Sequence, residues 1–388
     1  MSQIKAFLQS PSAGGILLLI SAALAIAAAN SPFSEQYFQF LKFNLGPFPV
    51  ELWVNDVLMA IFFLSVGLEI KHEMINGELN TNAKRILPTV AAFCGVMVPA
   101  IIYFIFNHDN PLYHRGWAIP TATDIAFSIG VVSLLGSRVP IAMKVLLTTL
   151  AVVDDLIAVV IIAAFYTDTL QFMYMGFGVV IFILLMILNK RNIFNPLPYI
   201  ALGVVLWYCI FRSGLHATLS GVFLAMTIPY RAQYKTGKWI SPVIQWNSAL
   251  IKWITFLILP LFGFINAGVS FHDFSVSDLF HPVVLGVSLA LFLGKQIGVF
   301  STVYILVKTK LVDMPVHATW SHVYGIAVCC GIGFTMSLFV DLLVFPPSHA
   351  QEMAKVGIFI GSILSGCIGY VILRYFTPDV SELEKKDS

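Results

Sequence analysis

Two adjacent aspartates, Asp154 and Asp155, lie inside an apolar run that extends from Val145 to Tyr166. As a helix, that run is long enough to cross a hydrocarbon core of roughly 30 Å. A charged carboxylate at such depth costs about 2.5–3.5 kcal/mol on insertion scales. Two side by side also repel each other. Such a pair persists when something positive binds it, whether a proton, a lysine or a metal cation. The motif therefore points to an ion or proton site inside a membrane. The plainer alternative is a carboxyl pair kept protonated and merely tolerated.

Composition supports the membrane setting. Hydrophobic residues make up 58% of the chain, charged residues only 11%, and the mean hydropathy is +0.87. A soluble domain carries about 25% charged residues. The net charge of +2 offers no footprint for nucleic acid. Cys94, Cys209, Cys329, Cys330 and Cys367 lie in apolar runs without disulfide or zinc spacing, and are expected to pack as small hydrophobes. No P-loop, Cys/His metal cluster or GxSxG elbow is present, so neither a cofactor nor an enzymatic activity is expected.

The hydropathy pattern predicts an all-α polytopic membrane protein, one integral domain over residues 1–388 with twelve spans. These are Gly14–Ala29, Leu52–Ile70, Leu87–Phe106, Trp117–Gly136, Met143–Tyr166, Met173–Leu188, Pro198–Phe211, Leu215–Pro229, Ala249–Val269, Val283–Val307, Val323–Phe345 and Ala354–Phe376. Ala27-Ala28-Ala29 resembles a signal-peptidase site, but the weakly basic start favours a retained first helix. Residues 33–51 read as a short external hairpin turning at Gly46-Pro47, and residues 377–388 as a polar tail. With twelve spans, sixteen lysines and arginines fall on the side shared by both termini. The other side holds Lys42, Arg115, Arg212 and Lys355. Both termini are therefore expected in the cytoplasm.

Two spans read as broken. WAIPTATDIAFSIG places Pro120, Thr121, Thr123 and Asp124 at mid-depth, and CCGIGFTMSLF does the same for Gly331, Gly333, Thr335 and Ser337. Interrupted segments in corresponding halves indicate inverted repeats meeting at a binding site. The half-helices present positive N-termini and negative C-termini to one another. Asp124 is placed to compensate two N-termini and Lys295 two C-termini. Ordinary kinked helices are the plainer reading, which the aspartate at the first break weakens.

Lys295 lies deep in LALFLGKQIGVF and needs a carboxylate partner. Neighbouring helix positions differ by about 100°, so Asp154 and Asp155 do not face one partner equally. One of them is expected to pair with Lys295 while the other faces a water-filled cavity, and the residues alone do not say which. Asp56, Glu69, His72 and Glu73 on the second span, with Lys71 between them, are entry or pH-response candidates. A solvated helix end accounts for the last four equally well. His216 reads as a local hydrogen-bonding residue before it reads as a ligand. Asp341, near a helix end, reads as structural.

WAIPTATDIAF, VVDDL, the LGK of the tenth run, RSGLHATLSGV and CGIGFTMSLF together resemble the NhaA family of bacterial sodium–proton antiporters, in matching order over nearly the whole chain. The resemblance implies twelve helices, with runs three to five and ten to twelve as inverted repeats. It implies that the fourth and eleventh cross near Asp124 and Lys295, and that cations and protons compete at Asp154 and Asp155. On that reading Asp155 is the expected main cation ligand, assisted by Asp154 and Thr123, and Asp154 is the expected partner of Lys295. It further implies exchange of cytoplasmic sodium or lithium for external protons by alternating access in the inner membrane, for pH and sodium homeostasis. Exchange is electrogenic if protons outnumber sodium. The hairpin around Gly46 supports a homodimer in relatives. One departure stands out. Relatives carry acidic and histidine groups at the start of the ninth helix, where this chain has Trp246-Asn247-Ser248-Ala249-Leu250-Ile251-Lys252. Two other activities are the alternatives: an intramembrane aspartyl protease, whose aspartates must converge from different helices, which adjacent Asp154 and Asp155 cannot do although Asp124 with Asp155 formally could, and a proton-coupled carrier of an organic solute.

Overall fold

The computed structural model describes residues 12–77, 79, 82–167, 170–193, 195–233, 239–272 and 274–378. The helices are α1 (Ser12–Ala29), α2 (Ser34–Lys42), α3 (Val50–Ile75), α4 (Asn82–Asn107), α5 (Ile125–Ser133), α6 (Ile141–Phe165), α7 (Phe172–Lys190), α8 (Pro196–Ser213), α9 (Leu219–Thr227), α10 (Pro242–Asn266), α11 (Pro282–Lys308), α12 (Trp320–Cys329), α13 (Phe334–Val344) and α14 (His349–Tyr375). Two short antiparallel ladders complete it. One pairs Asn44–Leu45 with Phe48–Pro49, around Gly46 at φ +72°. The other pairs Ala232–Gln233 with Trp239–Ile240. The sequence reading of residues 33–51 as hairpin alone missed α2, an amphipathic helix that starts with Glu35 and ends with Lys42, matching its dipole.

Nine described helices are long and apolar enough to cross a membrane, and α12 with α13, bent by 40° at their break, make a tenth. Two of the twelve expected spans fall outside that measure of length and apolarity. Trp117–Gly136 divides into a 3₁₀ segment at Arg115–Thr121, extended residues 122–124, and the nine-residue α5. Pro120 and the cap at Asp124 enforce the division. Leu215–Pro229 contains only the nine-residue α9. Its run begins just after Gly214, whose left-handed φ of +89° ends α8. The polar tail beyond residue 378 lies outside the described residues.

The chain forms two compact units. The first comprises Met1–Tyr37, Thr81–Ala158 and Asn266–Ser388. Within it α14 packs on α11, α12 and α13, α4 on α11, and α1 on α5. The α4–α11 contact is close because glycine permits it. A Cβ at Gly298 would stand 2.5 Å from the Cys94 carbonyl oxygen. His281 caps α11, its Nδ1 accepting the Val283 amide at 3.3 Å. Burial, then the neighbouring His349, push the His281 pKa below its ordinary value, toward the neutral ring that can accept.

The second unit comprises Phe38–Asn80 and Val159–Ile265. Its core gathers Leu64 and Leu68 of α3, Leu185 of α7, Tyr199, Leu206 and Ile210 of α8, and Leu224 and Ala225 of α9. α7 buries only 11% of its apolar window, so its surface requires an apolar surrounding.

Candidate ion-binding site

The site belongs to the first unit, where the two breaks cross. Unwound backbone inside a membrane must find hydrogen bonds within the protein, and here it does. The Asp124 amide donates to the Ile332 carbonyl at 2.7 Å. The Ser128 hydroxyl donates to the Cys329 carbonyl at 3.1 Å. Thr123 Oγ1 lies 2.9 Å from the Cys330 carbonyl and 2.7 Å from Asp154 Oδ2, so its one proton serves either acceptor.

Asp124 holds the starts of two helices. Its Oδ1 accepts the Phe127 amide of α5 at 2.9 Å. Its Oδ2 accepts from Thr335 of α13 twice, from the amide at 3.0 Å and the hydroxyl at 2.5 Å. One carboxylate therefore meets two positive helix ends. We expect Asp124→Ala to destabilise the protein by more than one cap, about 0.5–2 kcal/mol, read as a lower melting temperature in detergent. Asp124→Asn keeps one acceptor and should weaken transport without abolishing it. Complete loss of transport with intact melting would make Asp124 a cation ligand instead.

Lys295 is fully buried, with Nζ 2.6 Å from Asp154 Oδ2 and 2.6 Å from the Thr121 carbonyl. Of the two C-termini expected for it, Lys295 donates directly to the Arg115–Thr121 end, while the carbonyls at the end of α12 accept from Thr123 and Ser128. Lys295 also sits between two π-helical stretches, Ala290–Gly294 and Gln296–Phe300, an irregularity frequent at functional sites.

Asp154 and Asp155 are both 0% exposed. Asp154 Oδ2 is shared by Lys295 and Thr123, whereas Asp154 Oδ1 meets no donor. The crossing thus gathers carboxylate and hydroxyl oxygens, the donor type that suits a hard cation, by extension from the rules for other hard ions. Asp124 is committed to caps, so it is not free to form a protease dyad with Asp155.

The remaining candidates belong to the second unit and lie half-buried. Asp56 sits in the π-helical stretch Trp53–Leu58, and its carbonyl accepts the Trp207 indole at 3.4 Å. Glu69, His72 and Glu73 occupy the last turns of α3. His72 Nδ1 lies 2.9 Å from the Tyr230 hydroxyl, with the two rings stacked. Lys71 donates to the Met226 and Ile228 carbonyls at the end of α9. His216 Nε2 lies 2.6 Å from the Tyr166 carbonyl.

Sequence reasoning assigned no role to Thr335 or Ser128. Thr335 was legible, being a hydroxyl residue in the first turn of a helix that starts at a glycine break. Ser128 carried no such signal. Asn247, in the stretch lacking acid and imidazole, accepts the Ser65 hydroxyl at 2.5 Å, a polar tie between α10 and α3.

Broken helices crossing at a buried carboxylate–lysine pair, among helices long and apolar enough to span a bilayer, define an all-α polytopic membrane protein with a charged site at its centre. A sequence profile described as "Na+/H+ antiporter 1" matches residues 5–373. The chain belongs to that family. It is 48% identical to "Na(+)/H(+) antiporter NhaA" of Brucella melitensis over 98% of its length. It spans only about half of that relative, 52%, and the same share of the Brucella abortus one. The Brucella ovis protein of the same name is 48% identical, with 96% of this chain and 95% of that one aligned. Among solved structures, the fold is similar to the sodium proton antiporter MjNhaP1 from Methanocaldococcus jannaschii, with a TM-score of 0.51 at 14% identity, covering 96% of this chain and 92% of that one.

Proposed function

We propose that this chain exchanges cytoplasmic sodium or lithium for external protons by alternating access in a bacterial inner membrane. The observation that carries the reading is the fully buried Asp154–Asp155 pair with Lys295 held 2.6 Å from Asp154. Asp155 is the main cation ligand. Asp154 alternates between Lys295 and the cation, and Thr123 adds an oxygen. Both termini are cytoplasmic, and the two short segments count as spans in a twelve-span topology with inverted repeats. The exposed Asn44–Leu45 strand offers an edge for a homodimer. More protons than sodium ions per cycle would make exchange electrogenic.

The test is fluorescence dequenching in everted vesicles. A pH gradient is built, then sodium, lithium, potassium or calcium is added. Release by sodium or lithium alone supports the reading, and no release by either overturns it.

The same site accounts for pH dependence. Protons and sodium compete for coupled groups, which titrate as a set. At low pH the pair stays protonated; at high pH it fails to reload. Activity should be bell-shaped in pH, and more sodium should shift the acidic limb to lower pH. Glu69, His72 and Glu73 modulate this response. A limb that saturating sodium fails to move would sink the competition mechanism. A limb abolished by His72→Ala would make the α3 cluster the switch.

A further inference from the structure

A second fully buried carboxylate lies on α13 outside the crossing. Asp341 is 0% exposed, and neither of its oxygens meets a hydrogen-bond donor. It stands six residues beyond Thr335, about 9 Å along the helix axis, and three before Val344, where α13 ends. Ser337 is four residues before it and shares its helix face. Ser337 Oγ is also buried without a partner, as is Ser365 Oγ of α14.

Both hydroxyls lean on the break between α12 and α13. A Cβ at Gly333 would collide with Ser337 Oγ, and one at Gly331 with Ser365 Oγ. Buried polar atoms without partners cost about 1–3 kcal/mol each, more when charged, and native proteins keep few of them. Here four such atoms, two hydroxyl and two carboxylate oxygens, line one side of α13 and its partner α14.

We propose that Asp341 is a further proton-binding carboxyl, the end station of a polar file running along α13 through Ser337 to the break. The inference rests on the antiport reading and deepens it, by naming where the proton waits outside the Asp154–Asp155 pair. Holding a proton removes the buried charge and turns Asp341 from an acceptor-only group into a donor. Losing it leaves an anion facing Lys355. The elements packed on α13 are the Arg115–Thr121 segment and α14, with Asp124 at its start. Their charged groups are Arg115, His349, Glu352, Lys355 and Arg374. All but Lys355 are exposed, and Lys355 is the one that acts on Asp341.

The test uses the full chain reconstituted in liposomes, with pH varied on each side separately. Asp341→Asn should lower the maximal exchange rate by about tenfold or more and remove the pH response on one side. The half-saturating sodium concentration should stay as in the unsubstituted protein. Asp341→Glu should restore the one-sided response, and Ser337→Ala should slow exchange in the same direction. A folded Asp341→Asn protein with unchanged rate and unchanged pH response on both sides overturns the proposal, and leaves antiport itself standing. If Asp341→Asn does not fold, infrared difference spectra decide. A pH-dependent protonated-carboxyl band that moves on Asp341→Glu supports the relay; a band that stays in place overturns it. Liposomes in which the unsubstituted protein exchanges nothing would overturn the antiport reading and the relay together.

Discussion

Asp155→Asn is expected to abolish sodium-driven dequenching in everted vesicles while the protein remains inserted and folded. The amide keeps the volume of the side chain and removes both its charge and its exchangeable proton. Asp155 lies fully buried beside Asp154, whose Oδ2 is already engaged by Lys295 and Thr123. On the proposed reading, Asp155 is therefore the main ligand of the cation. Asp154→Asn should cripple exchange as well, by leaving the Lys295 ammonium with neutral acceptors and no anionic partner. Sodium-driven dequenching at the unsubstituted level in either variant would remove the central claim.

Lys295→Ala carries the second large effect. It leaves Asp154 buried with Thr123 as its remaining donor, and the Thr121 carbonyl without its ammonium. Removing one partner of a buried pair costs about 3–5 kcal/mol. A melting temperature lowered in detergent, together with weakened exchange, is the expected result. Lys295→Arg should recover stability better than transport, because guanidinium does not release its proton. Melting unchanged by Lys295→Ala would show that the ion pair contributes nothing to the fold.

The sequence made the crossing legible because membrane depth magnifies every polar residue. Asp124, Asp154, Asp155 and Lys295 stand out of apolar runs, and Pro120, Gly331 and Gly333 mark the breaks. What it left hidden follows from distance and direction along the chain. Nothing in the sequence says that Ser128 reaches Cys329, 201 residues away. Nor does it say that Thr123 and Ser128 donate to the carbonyls at the end of α12. Asp341 is the sharpest case. Its position near a helix end suggests access to water, and only packing by the Arg115–Thr121 segment and α14 shows that it has none. How little regular helix two of the expected spans contain was hidden for a related reason. Hydropathy registers apolar length, whereas Arg115–Thr121 and α9 are set by where Pro120 and Gly214 interrupt helical hydrogen bonding.

Asp124 accepts one hydrogen bond from α5 and two from α13, so those helices hang from a single pin. Turning α13 without α5 would pull Thr335 or Phe127 off a buried anion, and little water is at hand to replace them. The two helices therefore share one degree of freedom. Any step that reorients the crossing must carry both together, with Thr123 on the same strand as the pin. The oxygen beside the aspartate pair is then advanced or withdrawn by the same rotation, and gating becomes a property of the linkage as a whole.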